Sequence, residues 1–276
     1  MLALLKLLPR VALSRLFGRL ASRRWPRWFA RLSIAVFHRL YPRINLSEAV
    51  RKNRTDYASL QDFFTRELAP DARPVSHTAL VSPSDGAFGE SGEIRSGTVF
   101  QAKNVPYSVG EFLQDEDLAK ELDGGAFATI YLAPWNYHRV HHAASGDLVR
   151  VRHIRGDLWP VNRSAVEGIP GLFVKNERAW VALRTPHGLV VSVMVGAYNV
   201  GSIRLGACPE MGRIRTGEWT PSQPIQVVAG SEMGVFEMGS TVVVLVDRAM
   251  RHAAAGLAWP LQGASVRMGR SLPFPP

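Results

Sequence analysis

The sequence predicts an α+β protein: N-terminal amphipathic helices followed by a β-rich body. Three observations lead there. Apolar residues recur at helical spacing between Leu13 and Leu40. From Pro74 onward, Gly and Pro punctuate short apolar or alternating runs, the pattern of strands joined by turns. No repeat of fixed period runs through the 276 residues, a length that suits one large domain or two small ones. At 46% hydrophobic residues, a sizeable core can form.

The elements follow in order. Leu2, Leu4, Leu5, Leu7, Leu8 and Val11 are interrupted by Lys6, Pro9 and Arg10, so no apolar run approaches the roughly 20 residues of a spanning helix. The apolar core and small-residue cleavage site of a signal peptide are also missing. Leu13, Leu16, Phe17 and Leu20 share one helical face, and Arg15, Arg19 and Arg23 another. Beyond Pro26, Phe29, Leu32, Val36 and Leu40 continue the stripe, with Arg27 and Arg31 outside it and the amphipathic rings of Trp25 and Trp28 beside it. Helices that lie in a membrane interface have this pattern. Two ordinary helices packed on a core, with solvated arginines, would share it.

Charge sharpens the choice. The chain carries +10 overall, but residues 1–54 hold thirteen Lys or Arg against one acid, Glu48, which puts +12 there and −2 on the rest. A basic extension on a nearly neutral body suits a polyanion, either an anionic membrane or nucleic acid. The thick apolar face favours the membrane and excludes nucleic acid as the expected partner. Residues 1–56 are therefore expected to form membrane-associating helices, and residues 57–276 the body.

Ser47 before Glu48-Ala49-Val50 predicts a short capped helix. Ser59 opens another, carrying Phe63, Phe64 and Leu68 and ending before Pro70. Strands are predicted over 126–132, 148–154, 179–183, 189–195, 225–228 and 241–246, with a helix over 112–122 and an irregular tail from Leu257. The single cysteine, Cys208, excludes an internal disulfide and a Cys-rich metal site, and reads as a small buried residue.

Met238-Gly239-Ser240-Thr241 leads straight into the last strand. The Gly-Ser pair reads as a bend entering the sheet. It also reads chemically: glycine leaves its carbonyl open, and the next hydroxyl could attack it. That attack needs a base. Three histidines fall in His138-Arg139-Val140-His141-His142, behind a predicted strand and Pro134. Asp85, in the turn-like Pro83-Ser84-Asp85-Gly86, could orient such a base. A turn former for Asp85, and a surface cluster or a weak metal site for the histidines, are the ordinary readings of the same residues.

Further blocks recur along the chain: Phe63-Phe64-Thr65-Arg66-Glu67-Leu68, Ser82 to Gly86, Leu132 to His141, Leu172 to Arg178, and Val195 to Ile203. Together with Met238 to Thr241 they resemble the phosphatidylserine decarboxylase proenzymes, whose Leu-Gly-Ser-Thr motif is cut between Gly and Ser. Met238 stands where that motif has Leu, an apolar exchange of similar volume. The resemblance implies a self-processing, pyruvoyl-dependent carboxy-lyase. Asp85, His141 and Ser240 would form the self-cleavage triad, and His138 would assist decarboxylation. Cleavage between Gly239 and Ser240 would give a β chain, 1–239, and an α chain, 240–276. Residue 240 would become the covalent pyruvoyl cofactor, which forms a Schiff base with phosphatidylserine and releases CO2 and phosphatidylethanolamine without a metal. The implied assembly is a heterodimer of the two chains, with further homo-oligomerisation, peripheral on the cytoplasmic side of the cell membrane. Three other readings remain: a soluble pyruvoyl enzyme acting on a free amino acid, a non-catalytic membrane adaptor, and a serine hydrolase, the last lacking a Gly-x-Ser-x-Gly elbow.

Overall fold

The computed structural model describes residues 10–102, 105–197, 203–206, 216–237, 240–256 and 260–274. Met238, Gly239, Cys208, Tyr198 to Ser202 and the leucines before Pro9 lie outside the described residues. Two helices open the chain, α1 (Arg10–Ser22) and α2 (Arg27–Leu40), with Pro26 capping the second. Ala21, Ala30 and Ile34 face inward. Leu16, Leu20, Trp28, Phe29, Leu32, Val36 and Leu40 are exposed, Trp28 and Leu40 at 68%. Among the described residues no helix is long and apolar enough to cross a membrane.

Helix α3 (Leu60–Phe64) starts where expected, with Ser59 Oγ accepting from Asp62 N at 3.1 Å. It stops at Phe64 instead of running to Leu68, because Leu68 bridges to Ala49. That pairing also removes the helix expected after Ser47. The segment is a turn, in which Ser47 N and Oγ both donate to Asn45 Oδ1 at 2.9 and 2.8 Å. Phe37 on α2 meets Phe63 and Phe64 edge-on, with centroids 6.4 and 6.0 Å apart, and so ties the N-terminal helices to the body.

The strands in chain order are β1 (Gly86–Glu93), β2 (Thr98–Ala102), β3 (Val105–Ser108), β4 (Ala126–Leu132), β5 (Arg139–His141), β6 (Gly146–Ile154), β7 (Arg178–Thr185), β8 (Gly188–Gly196), β9 (Ile203–Leu205), β10 (Gly217–Trp219), β11 (Ile225–Val227), β12 (Glu232–Phe236), β13 (Ser240–Val246) and β14 (Ser265–Val266). Among the described residues the central antiparallel sheet has nine strands, ordered β10-β6-β7-β8-β13-β4-β1-β14, with β11 also on β6. A three-stranded sheet, β5-β12-β9, lies apart from it. On β13, Val243 and Leu245 enter one core while Val242, Val244 and Val246 enter the other. Both faces of the sheet are covered, so its middle strands need apolar residues at every position.

Two expectations differ in detail. The helix over 112–122 is two short ones, α4 (Val109–Leu113) and α5 (Glu116–Glu121). Gln114 between them is left-handed, with φ 51°, and Asp115 recaps the chain by accepting from Leu118 N at 2.9 Å. The tail is not irregular throughout: β14 pairs with Gly86 and Ala87, and Ser271 and Phe274 form bridges.

Candidate active site

Ser240 is the first residue of β13. It sits opposite Leu132 at the end of β4 and Gly196 at the end of β8, so two neighbouring strands hold it by register. It is fully buried, and its Oγ has no hydrogen-bond partner among the described residues. A buried hydroxyl without a partner is costly and rarely structural. Asn176 steadies the same strand ends: its Nδ2 donates to Gly196 O at 2.8 Å and to Trp159 O at 2.9 Å, while its Oδ1 accepts from Trp159 N at 2.9 Å.

Beyond Leu132 the chain turns. Asn136 Oδ1 accepts from Ala133 N, and Asn136 N donates to Ala133 O, both at 2.9 Å. This turn delivers His138 and then β5. His138 is fully buried, its ring 3.9 Å from that of Phe64. Its Nδ1 lies 2.9 Å from Asn136 O. A carbonyl only accepts, so Nδ1 carries the hydrogen and Nε2 keeps a bare lone pair. Nε2 has no partner among the described residues. Burial, and then the positive charge of Arg66, push this imidazole down to about 3. It is therefore neutral near pH 7, and its free nitrogen is a proton acceptor.

His141, on β5, is anchored through its backbone N–H, which donates to Pro83 O at 2.8 Å. That bond brings the Pro83–Asp85 turn alongside the histidines. His141 Nδ1 donates to Gly230 O at 2.7 Å, leaving Nε2 to accept from Tyr137 Oη at 3.0 Å. Burial lowers its pKa; the Gly230 hydrogen bond and the charges of Glu232 and Asp85 oppose that. Asp85 is forked by Arg73, with Nε at 2.9 Å and Nη2 at 2.6 Å, and its Oδ1 also accepts from Met268 N at 2.9 Å. Gly86 must lack a side chain, since a Cβ there would lie 2.6 Å from Tyr131 O.

The Pro83 contact sets the Asp85 turn beside His141, close enough for its charge to act on that ring, while Ser240 faces Leu132, from which the chain turns to reach His138. Among the described residues no hydrogen bond joins Asp85 to His141 or His141 to Ser240. The orienting acceptor on His141 is the Gly230 carbonyl, and Asp85 acts on the ring by charge.

The comparisons with known proteins give the family. The phosphatidylserine decarboxylase family profile matches residues 60–272. The chain belongs to the phosphatidylserine decarboxylase family. It is 41% identical over 254 residues to the phosphatidylserine decarboxylase proenzyme of Saccharophagus degradans, covering 90% of this chain and 88% of that one. It is 40% identical over 277 residues to the proenzyme of Delftia acidovorans, covering 96% and 94%. The matched span of this family member contains every candidate site residue: Asp85, His138, His141, Gly239 and Ser240.

Sequence reasoning missed several contacts in this decarboxylase-family site. Arg73 pairs with Asp85 across twelve residues with no pattern to reveal it. Gly230 contributes only a carbonyl, which no side-chain pattern reveals, although its φ of 83° calls for glycine there. Tyr137 lies inside a block singled out for its histidines. His142, beside the site, is buried with both ring nitrogens unpartnered among the described residues, and burial pushes it down to about 4.

Proposed function

We propose that this chain is made as a proenzyme that cuts itself between Gly239 and Ser240 and then decarboxylates phosphatidylserine to phosphatidylethanolamine. The observation that carries the reading is Ser240 Oγ, buried at the first position of β13 and without a hydrogen-bond partner among the described residues. His141 Nε2 accepts the Ser240 proton, which requires Tyr137 Oη to yield its place. The charge of Asp85 favours the protonated ring. Oγ attacks the Gly239 carbonyl, and an ester replaces the peptide bond as the amine of residue 240 is freed. Elimination across Cα–Cβ of residue 240 expels the Gly239 carboxylate, and water displaces ammonia to leave a pyruvoyl group.

The buried, otherwise unpaired position of residue 240 fits such a group, because no described side chain competes for its oxygen. The pyruvoyl group supplies an electron sink for the carboxylate's electrons. His138 does the proton work. Its Nε2 relays the proton that is delivered to carbon after CO2 leaves, and burial makes the protonated ring a strong donor for that step. The Phe64 ring and the Asn136 carbonyl hold that nitrogen's direction.

The two chains stay associated because β13 is central in the sheet, between β4 and β8 of the other fragment. Residues 1–56 carry the membrane contact and 57–276 the chemistry. The exposed apolar face of α1 and α2, beside exposed Arg24, Arg27 and Arg31, supports a peripheral enzyme on the cytoplasmic face of the cell membrane. A denaturing mass spectrum tests the central step. Wild type should give fragments 1–239 and 240–276, and Ser240→Ala a single chain. An uncut wild type that releases no CO2 from short-chain phosphatidylserine would overturn the reading.

A further inference from the structure

Asp85 acts on His141 by charge, since among the described residues no hydrogen bond ties its carboxylate to that ring. A charge acts over distance, so whatever fixes the place of the carboxylate fixes its effect. Asp85 is 7% exposed, and water does little of that holding. Three protein donors do it. Arg73 Nε donates to Oδ1 at 2.9 Å and Nη2 to Oδ2 at 2.6 Å, a bidentate fork, and Met268 N donates to Oδ1 at 2.9 Å.

The guanidinium is itself fixed. It is buried, its Nη1 donates to Ala72 O at 2.7 Å, and Nη2 also lies 3.0 Å from Glu48 Oε2. Glu48 is held in turn by Arg267. Planar, always charged and bonded through all three nitrogens, Arg73 presents the carboxylate with one orientation. Glu48 also keeps the fork from cancelling Asp85. Two carboxylates share one guanidinium, a net negative charge, and the fourth member, Arg267, is 48% exposed, where water and salt screen it. Resting on the self-cleavage reading, we propose that Arg73 is a positioning residue for that step: its fork holds the Asp85 carboxylate charged and beside His141, so that the ring can take the Ser240 proton. The other groups facing Asp85 are Arg66, beyond α3, and Tyr137 and His141, around β5. Burial raises Tyr137 and lowers His141 from 6.5, so above that pH the phenol stays protonated and the imidazole neutral. Glu48 keeps Arg267 whatever stands at residue 73. A titration that appears in this range when Arg73 is replaced therefore belongs to Asp85.

Self-cleavage of the full chain, followed on gels from about pH 6.5 to about pH 8.5, tests this. A buried carboxylate stripped of its fork takes up a proton more readily, at about tenfold per pK unit. Arg73→Gln should cut itself roughly tenfold or more slowly than wild type at the acidic end, and the gap should narrow as pH rises. Arg73→Lys keeps the charge but offers a point contact in place of the fork, so its rate should fall between, with a smaller change across the range. A purely structural arginine would lower the melting temperature and slow cleavage by one factor at every pH; that result overturns the assignment, as does wild-type cleavage by Arg73→Gln. If Arg73→Gln does not fold, judged by its melt, the same comparison made on Arg73→Lys decides. A wild type that stays uncut at every pH sinks the self-cleavage reading, whereas a wild type that cuts itself, with variants unaffected or slowed equally at every pH, sinks Arg73 alone.

Discussion

Single residues divide the work of the two histidines, and substitutions should separate them. His141→Ala and Asp85→Asn should remain uncut, because the base or its charge partner is gone. His138→Ala should be cut normally and lose roughly a hundredfold or more in kcat, the usual worth of a positioned acid–base group. Gel mobility and CO2 release read the two outcomes; an active, cut His138→Ala removes its role. His142 allows a pH prediction. The folded chain leaves it neutral down to about 4, while the unfolded chain protonates it near 6.5. Between those values the unfolded state binds the extra proton, so stability falls as pH drops, by about 2 kcal/mol near pH 5 from this residue alone. His142→Leu should keep its stability at neutral pH and show a smaller drop in melting temperature on acidification. An identical drop in both proteins would refute this.

At the scale of elements, the end of the central sheet depends on one amide. Asn176→Ala would remove three hydrogen bonds, from Trp159 N and to Trp159 O and Gly196 O, at about 3 kcal/mol in all. Gly196 faces Ser240, so self-cleavage should slow as well as stability fall. Denaturant midpoints and a cleavage time course check both. Strands such as β4 and β13 were legible because apolar, β-branched runs admit few other structures. β1, Gly-Ala-Phe-Gly-Glu-Ser-Gly-Glu, was not: it becomes a strand through pairing with β4 and β14, across a bulge between Phe88 and Ser91. The helix after Ser47 failed for the same reason, since the long-range bridge from Ala49 to Leu68 outweighed a local cap.

For the whole molecule, the question is how the body meets a bilayer. Replacing Arg24, Arg27 and Arg31 with Gln should weaken binding to anionic vesicles by roughly a hundredfold, at about 1 kcal/mol per charge. Cleavage should be untouched. Trp28 is exposed and should shift its fluorescence to the blue on binding. Cosedimentation that does not change in the triple variant would place the contact elsewhere. Deleting residues 1–40 is a harsher change. It removes Phe37 from Phe63 and Phe64, and Phe64 lies on His138, so activity should fall even on soluble substrate.

Sequence alone determined the α+β order of elements, the basic apolar N-terminus, the Gly239-Ser240 motif and the candidate residues Asp85, His138, His141 and Ser240. These are carried by local patterns: residue type, period and short spacing. Only the tertiary structure decided that Gly230 and Tyr137 take the two nitrogens of His141, that Arg73 occupies Asp85, and that Arg66 docks on the Trp135 and Asn136 carbonyls just before His138. Each of those contacts joins residues by the path of the fold, and burial makes them matter by removing the water that would otherwise satisfy every group.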